Sequence, residues 1–276
     1  MFKTRSMITL AALAAVTLTG CTRMGGLRAR MTANEIAHTV PIQGDPVIVG
    51  RLNAVVVENP YGKVKVYAKP AHEQAHITFR VQQERRLRWR AARQGFDFDP
   101  VGEYFTATHT HHGELSTLSV MPTDLTVEGY RPPIDITIEI PQCDGIEVRN
   151  AGGKVEIVGI QGAINVISGD NEVPGGPIEI RTEKQQVEEI YAMSNGGHVT
   201  LVTSPQSAGT FELVAPRGKT EFNSKFGIID HSLPKLGHWT GVWNDGTNSI
   251  YLESQDGDAS VIVVENPVMY SSGNTW

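Results

Sequence analysis

The chain has 276 residues, 40% hydrophobic and 20% charged, which supplies a core and excludes a disordered polar chain. Its net charge of −6 opposes nucleic acid as a partner, because phosphate binding needs a basic field. Two cysteines exclude a disulfide-rich scaffold and a four-cysteine zinc site, while 28 glycines and 15 prolines imply frequent turns.

Residues 1–20 read as a secretory signal peptide. Lys3 and Arg5 precede an uncharged run from Met7 to Thr19. That run is shorter than the ~20 residues a spanning helix needs. It ends in Leu18-Thr19-Gly20-Cys21, which resembles the lipobox of bacterial lipoproteins. The resemblance implies cleavage before Cys21, lipid on its thiol, and a membrane anchor in the bacterial cell envelope. Enterobacterial lipoproteins kept at the inner membrane carry Asp after the cysteine. Thr22 stands there in this chain and implies the outer membrane. Residues 21–44 read as a lipidated tether, with a short helical turn expected near Ala33–His38.

From residue 45 to 265 the apolar residues alternate with period two. Ile134-Asp-Ile136-Thr-Ile138-Glu-Ile140 and Ile146-Glu-Val148 are examples. Such alternation predicts strands with one buried face. The best helical pattern is Glu84–Gln94, and it fits a strand and loop equally well. Residues 83–130 depart from the pattern and read as an irregular insertion. Residues 266–276 read as a C-terminal tail.

One unit recurs as Gly, any residue, apolar, any residue, apolar. It starts at Gly62, Gly153, Gly162, Gly176, Gly197 and Gly209, with a weaker copy at Gly218. Gly176, Gly197 and Gly218 fall 21 residues apart. A unit of this length cannot bury its own apolar face, so neighbours must stack into a continuous core. Short strands with Gly/Asn corners and a period near 21 residues predict an all-β fold, a β-solenoid. Gly and Asn suit corners because they tolerate the left-handed backbone region. An antiparallel sandwich of hairpins is the alternative.

The strand Ile134–Pro141, the Ile-Glu-Val-x-Asn-x-x-Gly-x-Val coil from Ile146, and the closing Ile250-Tyr-Leu-Glu-Ser-Gln-Asp-Gly-Asp-Ala-Ser-Val stretch come in a recognisable order. That order resembles the bacterial putative-adhesin domain of unknown function, a β-solenoid repeat family found on lipoproteins. The likeness spans roughly residues 50–265 and implies fold much more than activity.

Several clusters are candidate sites. Arg85, Arg86, Arg88 and Arg90 surround Trp89, and Arg80 and Arg93 extend the run. Guanidinium forks and an indole suit an anionic glycan, a lipid headgroup or an acidic partner. A solvated charged face is the plainer reading. His109 and His111 point the same way on a strand and form a weak metal pair, with Glu103 or Glu114 nearby. Asp170, Glu172, Asp230, Asp245, Asp256 and Asp258 stand near Gly-rich turns with no spacing that fixes an acid/base pair. Trp239 and Trp243 are expected to cap the core at one end. Cys143 reads as a small buried hydrophobe.

No nucleophile elbow, zinc-protease helix, P-loop or dinucleotide fingerprint occurs, and no cofactor is implied. These readings describe a membrane-anchored lipoprotein with a non-catalytic structural or adhesin-like binding module. Its expected partners are the membrane, through lipid on Cys21, and a polysaccharide or envelope protein. A polysaccharide-active β-helix enzyme and a metal-binding envelope protein are the alternatives.

Overall fold

The computed structural model describes residues 35–39, 42–44, 52–70, 75–82, 105–112, 115–123, 133–182, 185–226, 229–231 and 235–271. Among them every regular element is a strand. The strands form two large mixed sheets, and neither closes on itself.

The nine-stranded sheet runs β1 (Glu35–Thr39), β5 (His76–Gln82), β8 (Ile134–Ile140), β4 (Val64–Ala68), β10 (Val155–Ile160), β12 (Ile178–Thr182), β14 (Val199–Thr203), β20 (Ala259–Val263) and β16 (Thr220–Asn223). The eleven-stranded sheet runs β17 (Ile229–His231), β18 (His238–Trp243), β15 (Gly209–Val214), β19 (Ser249–Ser254), β13 (Ile190–Ser194), β11 (Ala163–Ser168), β9 (Gly145–Asn150), β3 (Leu52–Asn59), β7 (Leu115–Pro122), β6 (Phe105–His112) and β2 (Gln43–Gly44).

Seven consecutive strands of each sheet, β8 to β16 in the first and β15 to β7 in the second, are parallel. Parallel neighbours need a crossover, which is usually a helix. Here a strand in the opposite sheet does that work: from β8 to β16 the chain alternates between the sheets at every step. The core therefore lies between the sheets. Ile138, Val66, Ile157, Ile180, Leu201 and Val261 form one inward row of the first sheet. Val55, Ile146, Ile164, Ile190, Ile250 and Phe211 form the facing kind of row in the second. Branched side chains suit these pleated positions, and each buried one contributes roughly 1.5–3 kcal/mol before chain entropy is counted.

Two devices build the corner that leads from the second sheet to the first. Glycines stack on one another: a Cβ on Gly153 would overlap Gly62, one on Gly176 would overlap Gly153, and one on Gly218 would overlap Gly257. Gly153 also holds φ at +91°, where a side chain is strained. Beside the glycines runs a buried polar row of Asn59, Asn150, Ser168, Ser194 and Ser254, in register across five strands. The Ser194 hydroxyl donates to the Gly176 carbonyl at 2.9 Å and accepts from the Gly197 amide at 2.9 Å. The recurring Asn/Ser-x-x-Gly of the sequence is this corner.

Spatial order departs from sequence order at both ends. Val199 of β14 pairs with Ala259 of β20, and Thr220 of β16 pairs with that same Ala259. The 21-residue step from Gly197 to Gly218 is thus not a step between neighbours, because Gly257 lies between them. Likewise β3 sits between β7 and β9. Residues 115–122 of the expected insertion are a regular rung, paired in parallel with β3. Of the expected helical turn near Ala33–His38, the described part from Glu35 belongs instead to strand β1, antiparallel to β5. Ladder bonds to β5 satisfy the β1 backbone groups on that side and tie the segment into the sheet, a support an isolated helical turn lacks. The helical pattern at Glu84–Gln94 lies outside the described residues.

Trp243 is fully buried, and its ring meets Phe222 at 5.5 Å. Trp239 packs edge-on against Phe211 at 5.8 Å. Both indoles come from β18, one strand beyond the last parallel rung, and they cover the apolar side chains of β15 and β16 at that end.

Candidate functional site

The outer face of the eleven-stranded sheet carries an aligned row. Glu147, Asn165, Tyr191, Tyr251 and Glu212 are successive partners on β9, β11, β13, β19 and β15. Alternation along each strand turns these side chains outward while their flanking residues fill the core. Parallel register places identical residues directly beside each other, so the two tyrosines stack with centroids 5.2 Å apart and planes 7° from parallel. Tyr191 is 40% exposed. Its ring face away from Tyr251 looks toward the rung of Asn165, which carries no ring. Offset stacking of this kind contributes about 0.5–1.5 kcal/mol beyond burial and leaves the end face free.

A second row lies beside the first: Glu58, Arg149, Ile167, Met193, Glu253, Val214 and His238. Arg149 pairs with Glu147 at 3.0 Å, and His238 meets Glu212 at 3.0 Å. The Tyr251 hydroxyl donates to Glu253 at 2.5 Å, and the Gln255 amide donates to the same carboxylate. Burial, that hydrogen bond and the Glu253 charge hold the Tyr251 phenol well above its ordinary range, so it stays neutral. The two rows together offer a flat strip of aromatic, amide and carboxylate groups.

The outer face of the nine-stranded sheet is different. Arg181 on β12 bonds Glu156, pairs with Glu179 at 3.1 Å, and donates to the carbonyls of Val268 and Tyr270. Lys65 and Lys154 complete the network, at 3.6 Å from Glu156 and 2.5 Å from Glu179. Burial first, then the Glu156 charge, pushes the Tyr67 phenol up to about 12. This network fastens the C-terminal segment to the sheet.

The residues singled out in the sequence distribute as follows. Cys21, Arg85, Arg86, Arg88, Trp89 and Arg90 lie outside the described residues. Arg80 is exposed on β5, opposite Asp135. His109 and His111 share one face of β6, with ring centroids 4.5 Å apart, and His109 is buried. Among the described residues no third His, Cys, Asp or Glu joins them as a metal group. Glu103 and Glu114 lie outside the described residues. The turn carboxylates serve the corners: Asp170 accepts from the amides of Glu172 and Val173, Asp256 bonds Arg217, and Asp258 accepts from the Lys219 amide. Cys143 is buried and donates to the Gly145 carbonyl at 3.2 Å, and burial pushes its thiol up to about 12. The tyrosine pair was not singled out as a site. Its signal is the repeated Ile-Tyr-x-x-Ser at Ile190–Ser194 and Ile250–Ser254.

No family model matches the chain, and no curated protein matches it in sequence. Solved structures show loose likeness. A putative cell adhesion protein from Clostridium sporogenes is 9% identical, with a TM-score of 0.44, covering 83% of this chain and 99% of its own. A putative adhesin from Bacteroides fragilis is 12% identical, with a TM-score of 0.26 and coverages of 83% and 97%. A putative lipid binding protein from Parabacteroides distasonis is 8% identical, with a TM-score of 0.30 and coverages of 84% and 95%. Likeness at this level transfers no activity.

Proposed function

We propose that this chain is a bacterial lipoprotein, anchored through lipid on Cys21, whose folded part is a non-catalytic binding module of the cell envelope. In this reading the alternating strands are the coils of a β-solenoid with glycine corners. The in-register parallel pairing and the polar row at the corner support it. The lipobox-like Leu18-Thr19-Gly20-Cys21 supports the anchor, and Thr22 favours the outer membrane. The row Glu147–Asn165–Tyr191–Tyr251–Glu212 carries the binding half of the proposal. A rigid flat face that exposes aligned aromatic and hydrogen-bonding groups is built for recognition of an extended partner. Arg85, Arg86, Arg88 and Arg90 with Trp89 are further candidate binding residues in the same proposal, by their chemistry suited to anionic groups.

The test has two parts. Labelled palmitate should enter the wild-type protein and not a Cys21→Ala variant, which should also leave the membrane fraction. The purified protein, applied to a panel of envelope and extracellular polysaccharides and to envelope extract, should be retained without generating new reducing ends. Release of reducing ends would replace this reading with a polysaccharide-active enzyme.

The closeness of His109 and His111 favours a second reading, a metal-binding envelope protein. Zinc should then raise the thermal midpoint of the wild type and not that of His111→Ala. No shift in the wild type removes this reading.

A further inference from the structure

We infer that the tyrosine strip on the eleven-stranded sheet binds a linear glycan bearing free amino groups, laid across the strands. The inference rests on the proposed binding role and names its ligand class. Three observations carry it. The first is the open rung. The Tyr191–Tyr251 stack ends at Asn165, an exposed amide with no ring of its own. A pyranose set on that rung meets the free Tyr191 face with its C–H side, and its hydroxyls reach the Asn165 amide.

The second observation is the repeat. From Glu147 to Glu212 the row crosses five strands, about 19 Å at the ~4.8 Å spacing of neighbouring strands. That step is close to the length of one sugar residue in an extended glycan. An extended peptide advances only ~3.3 Å per residue and falls out of step. A glycan that crosses the strands therefore stays in step with the row.

The third observation is charge. Across the two rows the carboxylates of Glu58, Glu147, Glu212 and Glu253 outnumber the one guanidinium, Arg149. Arg149 answers Glu147. Glu253 accepts from two neutral donors, and Glu212 meets His238. The tyrosine end of the strip is therefore anionic. It repels a polyuronate and attracts an ammonium, which gains both a carboxylate and the face of an aromatic ring.

The experiment is calorimetry on the whole protein with three hexasaccharide probes: a glucosamine hexamer, its fully N-acetylated form, and a hexauronate. The glucosamine hexamer should bind at least tenfold more tightly than either of the others at low salt. Raising the salt should erode that margin. Tyr191→Ala and Glu212→Gln should each weaken it at least tenfold. Glu212→Gln should leave the unfolding midpoint unchanged because its side chain is exposed, whereas Tyr191→Ala also gives up the stack on Tyr251 and should lower the midpoint slightly. Equal binding of the N-acetylated hexamer overturns the amine assignment and leaves the binding module standing. Failure of all three hexamers, with retention of the protein on other envelope material, also overturns the assignment alone. Failure of the hexamers, the polysaccharide panel and the envelope extract together overturns the binding role itself.

Discussion

The Ser254 hydroxyl donates to the carbonyl of Gly197 at 2.7 Å, although 57 residues of chain separate them. It also accepts from the Gly257 amide of its own turn at 2.8 Å. One small side chain thus joins its own corner to the corner of the neighbouring rung, and the same arrangement recurs at Ser194, while Asn150 donates only to the Gly152 and Gly153 carbonyls of its own turn. Buried backbone groups at a tight corner have no access to water, so the side chain completes their pairing.

Ser254→Ala leaves the Gly197 carbonyl and the Gly257 amide without that partner. The expected cost is about 1–3 kcal/mol, the penalty for unsatisfied buried groups. Urea unfolding measures it directly. Ser260→Ala, which removes a part-buried bond to Thr200, should cost less.

Gly176→Ala places a methyl group into the Gly153 carbonyl, and backbone cannot move aside as a side chain tip can. A loss of about 2 kcal/mol or more is expected from the overlap. Gly145 is the control, since its nearest atom would lie 3.7 Å from a new Cβ. Gly145→Ala should leave the unfolding midpoint unchanged or slightly raised.

Trp243→Ala empties the largest side chain from the end of the core. The expected destabilisation is about 3–5 kcal/mol. Because Trp243 meets Phe222 on the edge strand β16, the loss should appear first as faster amide exchange in β16 and β18, read by mass spectrometry.

Arg181→Ala removes the cation shared by Glu156 and Glu179 and the donor to Val268 and Tyr270. Its side chain is 16% exposed, so the abandoned carboxylates stay largely desolvated. A cost of about 3 kcal/mol is expected. The C-terminal segment should also become cleavable beyond residue 266 under limited proteolysis, at a protease concentration that spares the wild type.

Stability should fall in alkali. Both the Cys143 thiol and the Tyr67 phenol are pushed up to about 12, from ordinary values of 9.0 and 10.0. Each holds its proton more tightly folded than unfolded. The stability they contribute is complete below the unfolded values and is lost as pH rises toward about 12. The urea midpoint of the wild type should drop across that window. A Cys143→Ala/Tyr67→Phe variant should show a shallower drop, and an equally steep one would refute the assignment.

The strands and their inward faces were legible in the sequence. Ile134 to Ile140 alternates without a break, and its buried pattern follows that alternation residue by residue. Four of the corners were legible too, because the Asn/Ser-x-x-Gly spacing repeats at Asn59–Gly62, Asn150–Gly153, Ser194–Gly197 and Ser254–Gly257. At the site, the repeated Ile-Tyr-x-x-Ser is present in the sequence, but strand alternation alone does not mark its two tyrosines as a pair. What the sequence could not decide was which rung lies beside which. Successive rungs offer similar alternation and a glycine at the corner, so Gly197 looks as good a neighbour for Gly218 as for Gly257. Tertiary structure makes that choice. Strand β18 folds back antiparallel onto one side of β15, leaving its other side for β19. Only this placement brings Tyr251 against Tyr191, 60 residues away in the chain. Local pattern thus determined the rung, while the pairing of equivalent rungs depended on long-range closure that no local pattern encodes.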